Sequence, residues 1–244
     1  MITDIYTILW KELKELVLQQ GAQRGGWLRL AIFLGVFGVF MPLQSGREWV
    51  TSPLNLVFWA WLPFLLVSSV IADSFAGERE RHTLETLLAS RLSDRAILFG
   101  KILAGIVYGW GLTILSILLS LVTVNIAFGQ GSLLLYPADI AAGIIGISFL
   151  ISAMASGLGV LVSLRASTVR QAQQTFSIAF FLLFIPLFLL PLLPREWQVR
   201  LAEIMTGANI GPLIIGLIVF IVAIDFLLIF MAMARFKRSK LILD

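Results

Sequence analysis

Gly77-Glu78-Arg79-Glu80-Arg81-His82-Thr83-Leu84-Glu85-Thr86-Leu87-Leu88 is the stretch on which the reading of this chain turns. It packs five charges and a histidine into about two helical turns, in a sequence that is 59% hydrophobic and 13% charged. Soluble domains carry about 25% charged residues, and a mean hydropathy of +0.97 puts this chain in a membrane. Hydrocarbon cannot solvate such a cluster, so the stretch has to lie in water between two spans. Its spacing predicts a short helix over 77–90, with Leu84, Leu87 and Leu88 as a narrow apolar stripe. Glu78 with His82, and Arg81 with Glu85, stand at i,i+4 spacing and are expected to pair. Ser93 and Asp94 then suit the start of the next helix.

Outward from this stretch, six segments reach the about 20 residues that a crossing helix needs: 27–43, 56–75, 96–128, 137–164, 174–193 and 211–234. The expected fold is an all-α integral membrane protein, one transmembrane domain over 1–244, with six transmembrane helices. An even number puts both termini on one side. Of the 18 lysines and arginines, all but Arg47, Arg195 and Arg200 fall on the side of the charged stretch. By the positive-inside rule that side, with both termini, is cytoplasmic. Met1-Ile2-Thr3-Asp4 lacks the basic-then-apolar pattern of a cleaved leader, so it is expected to be retained. Trp27 and Trp49 bracket the first span where indoles prefer the water interface.

Two further segments are amphipathic. Over 2–20, Ile5, Ile8, Leu9, Leu13, Leu16 and Val17 recur at helical steps while Lys11, Glu12, Lys14 and Glu15 take other faces, as in a helix lying in the cytoplasmic interface. It is either a plain anchor or a lever against a soluble partner. Over 195–206, Trp197, Leu201, Ile204 and Met205 share one side, which suits a short helix on the outer face. Small residues at packing spacing, Gly105 and Gly109 in the third span and Ser152, Ala155, Ser156 and Gly159 in the fourth, read as close helix contacts. Internal repeats, low-complexity stretches and a soluble domain are not detected.

Composition narrows the chemistry. The absence of cysteine removes disulfides, thiolate metal sites and a cysteine nucleophile, and one histidine cannot build a two-histidine zinc site. A P-loop requires Gly-x-x-x-x-Gly-Lys-Ser/Thr. Gly100-Lys101 is followed by Ile102, and Arg95 occupies the position of the first glycine. No cofactor is expected on this chain, and nothing in it calls for nucleic acid.

The order Glu78, Glu80, Arg81, Thr83, Leu84, Glu85, Leu87, Leu88, then Ser93 and Gly100-Lys101 entering the next span, resembles the permease subunits of ABC transporters of the ABC-2 type. His82 departs from the usual glycine and Arg91 from the usual proline. The resemblance implies that 77–90 is a coupling helix docking on a separate ATPase, with Glu78, Arg79, Glu80, Arg81, Thr83, Leu84, Glu85, Leu87 and Leu88 as the coupling residues. It implies ATP and Mg²⁺ on that partner, a second permease subunit (identical or related), surrounding lipid, and export across a prokaryotic inner membrane. In the family, spans two and five commonly line the path. Here they carry Phe58, Trp59, Trp61 and Phe64, and Phe176, Phe180, Phe184 and Phe188 at a four-residue step, which suits a hydrophobic or amphipathic substrate or else simple packing. Pro63, Pro186 and Pro191 are expected to kink those helices.

Asp225 stands mid-span, where a carboxylate costs about 2.5–3.5 kcal/mol. It is expected to face a cavity or one interhelical hydrogen bond, and it is the residue on which an ion-coupled secondary transporter would rest. Asp73 reads as structural, and Asp139 as an acid at a helix start. An intramembrane serine protease would need a base near Ser156, but His82 lies in the loop. A non-transporting scaffold would leave the charged pattern unexplained.

Overall fold

The computed structural model describes residues 1–22, 26–52, 54–189, 192–197, 199–200 and 210–236. Helix α1 is Ile2–Ala22. Helix α2, Gly26–Gly35, runs through a π-turn at Val36–Phe40 into α3, Met41–Ser45. A short α4, Glu48–Thr51, follows. Then come α5, Leu54–Glu80, α6, Leu84–Leu88, α7, Asp94–Phe128, α8, Ala138–Arg165, α9, Val169–Leu189, and α10, Ile210–Arg235. Among the described residues there is no strand, as a bilayer requires of an open chain whose backbone groups must bond internally.

Among the described residues, five helical runs are long and apolar enough to cross a bilayer: Gly26–Ser45, Phe58–Glu80, Asp94–Phe128, Ala138–Arg165 and Ile215–Arg235. The expected span 174–193 corresponds to α9, but Pro191 and the side chains of Pro186 and Phe188 lie outside the described residues. Pro63 sits inside α5 without ending it. The outer element expected over 195–206 is helical at 195–197 and 199–200, and its remainder lies outside the described residues.

Helix α5 is the hub. Its Phe64, Val67, Ile71 and Phe75 are buried in one core with Met154, Ala155 and Val160 of α8 and Ile97, Leu98 and Ile102 of α7. In lipid no hydrophobic gain drives helices together, so close packing must, and small side chains set the approach. A Cβ on Gly105 would meet Ser156 Oγ at 2.6 Å, one on Gly109 would overlap Val67, and one on Gly159 would overlap Ile71. The π-turn has a similar origin: Gly38 faces the side chain of Leu119, and its carbonyl accepts from Thr123 Oγ1 at 2.8 Å. Gly159→Val should therefore lower the thermal midpoint of the purified protein, at about 1–3 kcal/mol for overpacking. Gly146→Val, which meets nothing within 4 Å, should leave it in place. Equal midpoints for the two variants would refute the close-approach account.

Toward the face opposite the arginine-rich one, Trp49, Phe58, Trp59 and Trp61 form an aromatic cluster with Phe37. Trp49 is buried at 4% exposure, so its indole packs inside this cluster. Trp27, at 56%, is exposed.

Candidate functional site at the basic face

The charged stretch is not one helix. Helix α5 extends through Glu80, and the chain then turns at His82, whose φ is +56°. Thr83 N–H donates to Glu78 O at 2.8 Å and His82 N–H to Arg79 O at 3.1 Å. These are the two bonds of a Schellman stop with His82 in the left-handed position. Thr83 then precedes α6. The turn explains why glycine suits position 82: an L-residue there costs about 1–2 kcal/mol. His82→Gly should raise stability by about 1 kcal/mol, read as a higher thermal midpoint; a fall would show that the imidazole holds the turn.

Because the helix ends before His82, the expected pairs Glu78–His82 and Arg81–Glu85 do not form. Arg81 instead bonds Asp73, lying across Gly77, where any Cβ would strike both groups. That contact, opposed by burial, holds the Arg81 guanidinium above its ordinary pKa. Arg79 reaches the last carbonyls of α8, donating to Ala166 O, and to Leu164 O at 3.1 Å. There a cation also complements the helix dipole. Glu80 Oε2 accepts from the N–H of Val169, the first residue of α9, at 3.1 Å.

Glu78 is 8% exposed. Its Oε1 accepts from Lys101 Nζ at 3.0 Å and from Lys11 Nζ at 3.3 Å. Lys101, at 2% exposure, also donates to Glu12 Oε1 at 2.7 Å and Ser74 O at 2.8 Å, and lies 5.1 Å from the centre of the Phe75 ring. All three ammonium hydrogens thus have acceptors. Burial works against the Lys11 charge, but Glu78, Glu12 and Glu15 outweigh it and raise its pKa. Helix α1 completes the joint: Ile8 covers Gly100, where a Cβ would collide with it. The amphipathic helix expected over 2–20 is therefore docked on the start of α7, while Tyr6, Trp10 and Leu18 remain exposed.

Charges that read as a partner-facing array are thus spent within the chain, tying the basic-face ends of α1, α5, α7, α8 and α9 together. Ser163 of α8 adds a further tie: its Oγ accepts from Phe75 N–H at 3.0 Å and Ala76 N–H at 2.9 Å and donates to Ala72 O at 3.0 Å. Leu84 and Leu88 are buried in the main core and Leu87 packs against it. What this platform presents outward is Glu85 and Thr86 of α6, together with Glu80, Arg81, His82, Thr83 and Arg91. Ser93 caps α7, its Oγ accepting from Ala96 N–H at 3.2 Å.

Two of these features escaped sequence reading. Lys101 entered as half of a Gly-Lys signature, although a cation about two turns inside an apolar helix demands a counter-charge. Ser163 is one serine in a span rich in small residues, and nothing local distinguishes it.

The aromatic stripe is sealed. The Phe64 ring centre lies 4.6, 5.4 and 5.7 Å from those of Phe176, Phe180 and Phe184, tilted against the first two and edge-on to the third, all buried between α5 and α9. Asp225 is 8% exposed, and its Oδ1 finds no hydrogen-bond partner, so the expected interhelical bond at that atom is not made. Among the described residues no cluster of three His, Cys, Asp or Glu could hold a metal.

A sequence model described as ABC-2 family transporter protein matches residues 65–200, which takes in the basic-face part of α5 and all of α6 to α9 but not α1. The chain is also 30% identical over 159 residues to a Bacillus subtilis (strain 168) protein named ABC transporter permease protein NatB. That match covers 59% of this chain and 40% of the relative, so the chain spans well under two thirds of that protein's length. The family match takes in more than half of the sequence, and on that ground this multi-helix membrane chain belongs to the ABC-2 transporter family.

Proposed function

We propose that the chain is the membrane subunit of an ATP-driven exporter, with six spans, both termini cytoplasmic, in a prokaryotic inner membrane. Its ATPase is a separate polypeptide carrying ATP and Mg²⁺, and a second permease subunit completes the path. The observation that carries this reading is the braced α5–α6 joint. Helix α6 is short, its inner face is in the core, and the charges beside it are locked to the ends of five helices. A push on Glu85 and Thr86 is therefore passed to the spans rather than absorbed by a loop. A permease does no bond chemistry; it needs two packings of similar energy that a partner can bias.

The substrate class is hydrophobic or amphipathic. In this packing Phe64, Phe176, Phe180 and Phe184 occupy one another, so they line a path only in a state where α5 and α9 part. Phe58 and Trp61 would face it from the outer half. The test is purification of the tagged chain in mild detergent from its native membrane, followed by mass spectrometry and an ATPase assay. A co-purifying P-loop ATPase with vanadate-sensitive turnover is the expected result. Recovery of the chain without any ATPase would overturn the reading.

A further inference from the structure

We infer that a cleft at the basic face binds an anionic phospholipid from the leaflet on that side. The cleft, about 580 Å³, is bounded by α1, α2, α5, α7 and α9, within the size range of ligand pockets. Its walls are polarised. Arg29, Asp73, Arg81 and Gln173 line it within about two turns of the basic-face ends of α2, α5 and α9, whereas Leu65, Leu66 and Leu112, with Tyr108, line it deeper along α5 and α7. Along α5, Asp73 and Leu65 are separated by about 12 Å at 1.5 Å per residue. A ligand filling the cleft therefore meets charge at one end and hydrocarbon at the other, as an inner-leaflet lipid does.

The charge has a sign. Arg81 is engaged with Asp73, whereas Arg29 is exposed and has no hydrogen bond or ion pair with a described residue. The lining carries two guanidinium groups against one carboxylate, so it selects an anionic headgroup, and basic pockets between helices at this depth recognise such groups. A phosphate seated at Arg29 enters the cleft that Arg81 also lines and competes with Asp73 for it. That competition gives the site a signature which simple membrane anchoring lacks: neutralising Asp73 should strengthen binding while neutralising Arg29 weakens it.

The experiment is native mass spectrometry of the full chain released from mixed micelles holding equal phosphatidylglycerol and phosphatidylcholine. Retained phosphatidylglycerol should exceed phosphatidylcholine. Arg29→Gln should reduce it about fivefold, Asp73→Asn should increase it, and Arg195→Gln on the opposite face should leave it unchanged. Leu66→Trp, a substitution at another lining residue that fills the apolar part, should reduce retention of either lipid. Equal retention of the two lipids, or equal effects of Arg29→Gln and Arg195→Gln, would overturn the proposal. So would displacement by free glycerol phosphate at concentrations that leave the micelle intact, since that would make it a soluble-anion site. No ATPase takes part in this readout, so its failure and that of the exporter reading are separable.

Discussion

Lys101→Met should yield a protein that inserts but does not survive purification as a monodisperse species. The Lys101 side chain is 1% exposed and lies 2.7 Å from Glu12 and 3.0 Å from Glu78. Its removal leaves Glu78, itself 11% exposed at the side chain, with only the half-exposed Lys11 as counter-charge, and with an Oε2 that already lacks a hydrogen bond. Breaking a buried pair from one side costs about 3–5 kcal/mol, because the remaining charge is neither solvated nor matched. Replacing both partners is a different matter: Lys101→Met with Glu78→Leu removes both charges together, and such swaps are often neutral. The double variant should recover most of the thermal midpoint lost by the single one. Lys101→Arg should not rescue, since a planar fork cannot meet three acceptors arranged around a point charge. An unchanged midpoint for Lys101→Met would show that the network is ornamental.

The same network marks where the sequence could and could not be read. Long apolar runs, their basic flanks and the small residues of α7 and α8 are patterns along one helix, and each is visible in one dimension. The family-like order of residues from Glu78 to Lys101 is also linear. The partners of the charges are not. Glu78 and Arg81 stand at helical spacing from His82 and Glu85, and a helix through all four would pair them. One left-handed residue at His82 ends the helix, and the side chains then find Lys101, Lys11 and Asp73, up to 67 positions away. A four-residue phenylalanine step likewise shows a stripe, but only the packing of α9 on α5 shows that the stripe is closed.

Charge reversal on α6 gives the sharpest functional contrast. Glu85→Arg combined with Thr86→Glu should cut stimulation of the proposed ATPase by roughly tenfold or more, because a charge inverted within an interface opposes docking by several kcal/mol. Both side chains are exposed, and neither has a side-chain bond to a described residue, so the thermal midpoint of the permease should not move. Reversing Glu78, Arg81 and Glu85 together would also abolish stimulation, but uninformatively: two of those three residues hold the fold, and the loss could come from a collapsed joint. The separation is the point of the experiment. Glu78→Lys should lower the midpoint first and stimulation as a consequence, whereas the α6 variant should lose stimulation alone. If it keeps full stimulation at an unchanged midpoint, the partner docks elsewhere on the basic face. If its midpoint falls with its activity, α6 is a structural wedge and not a contact.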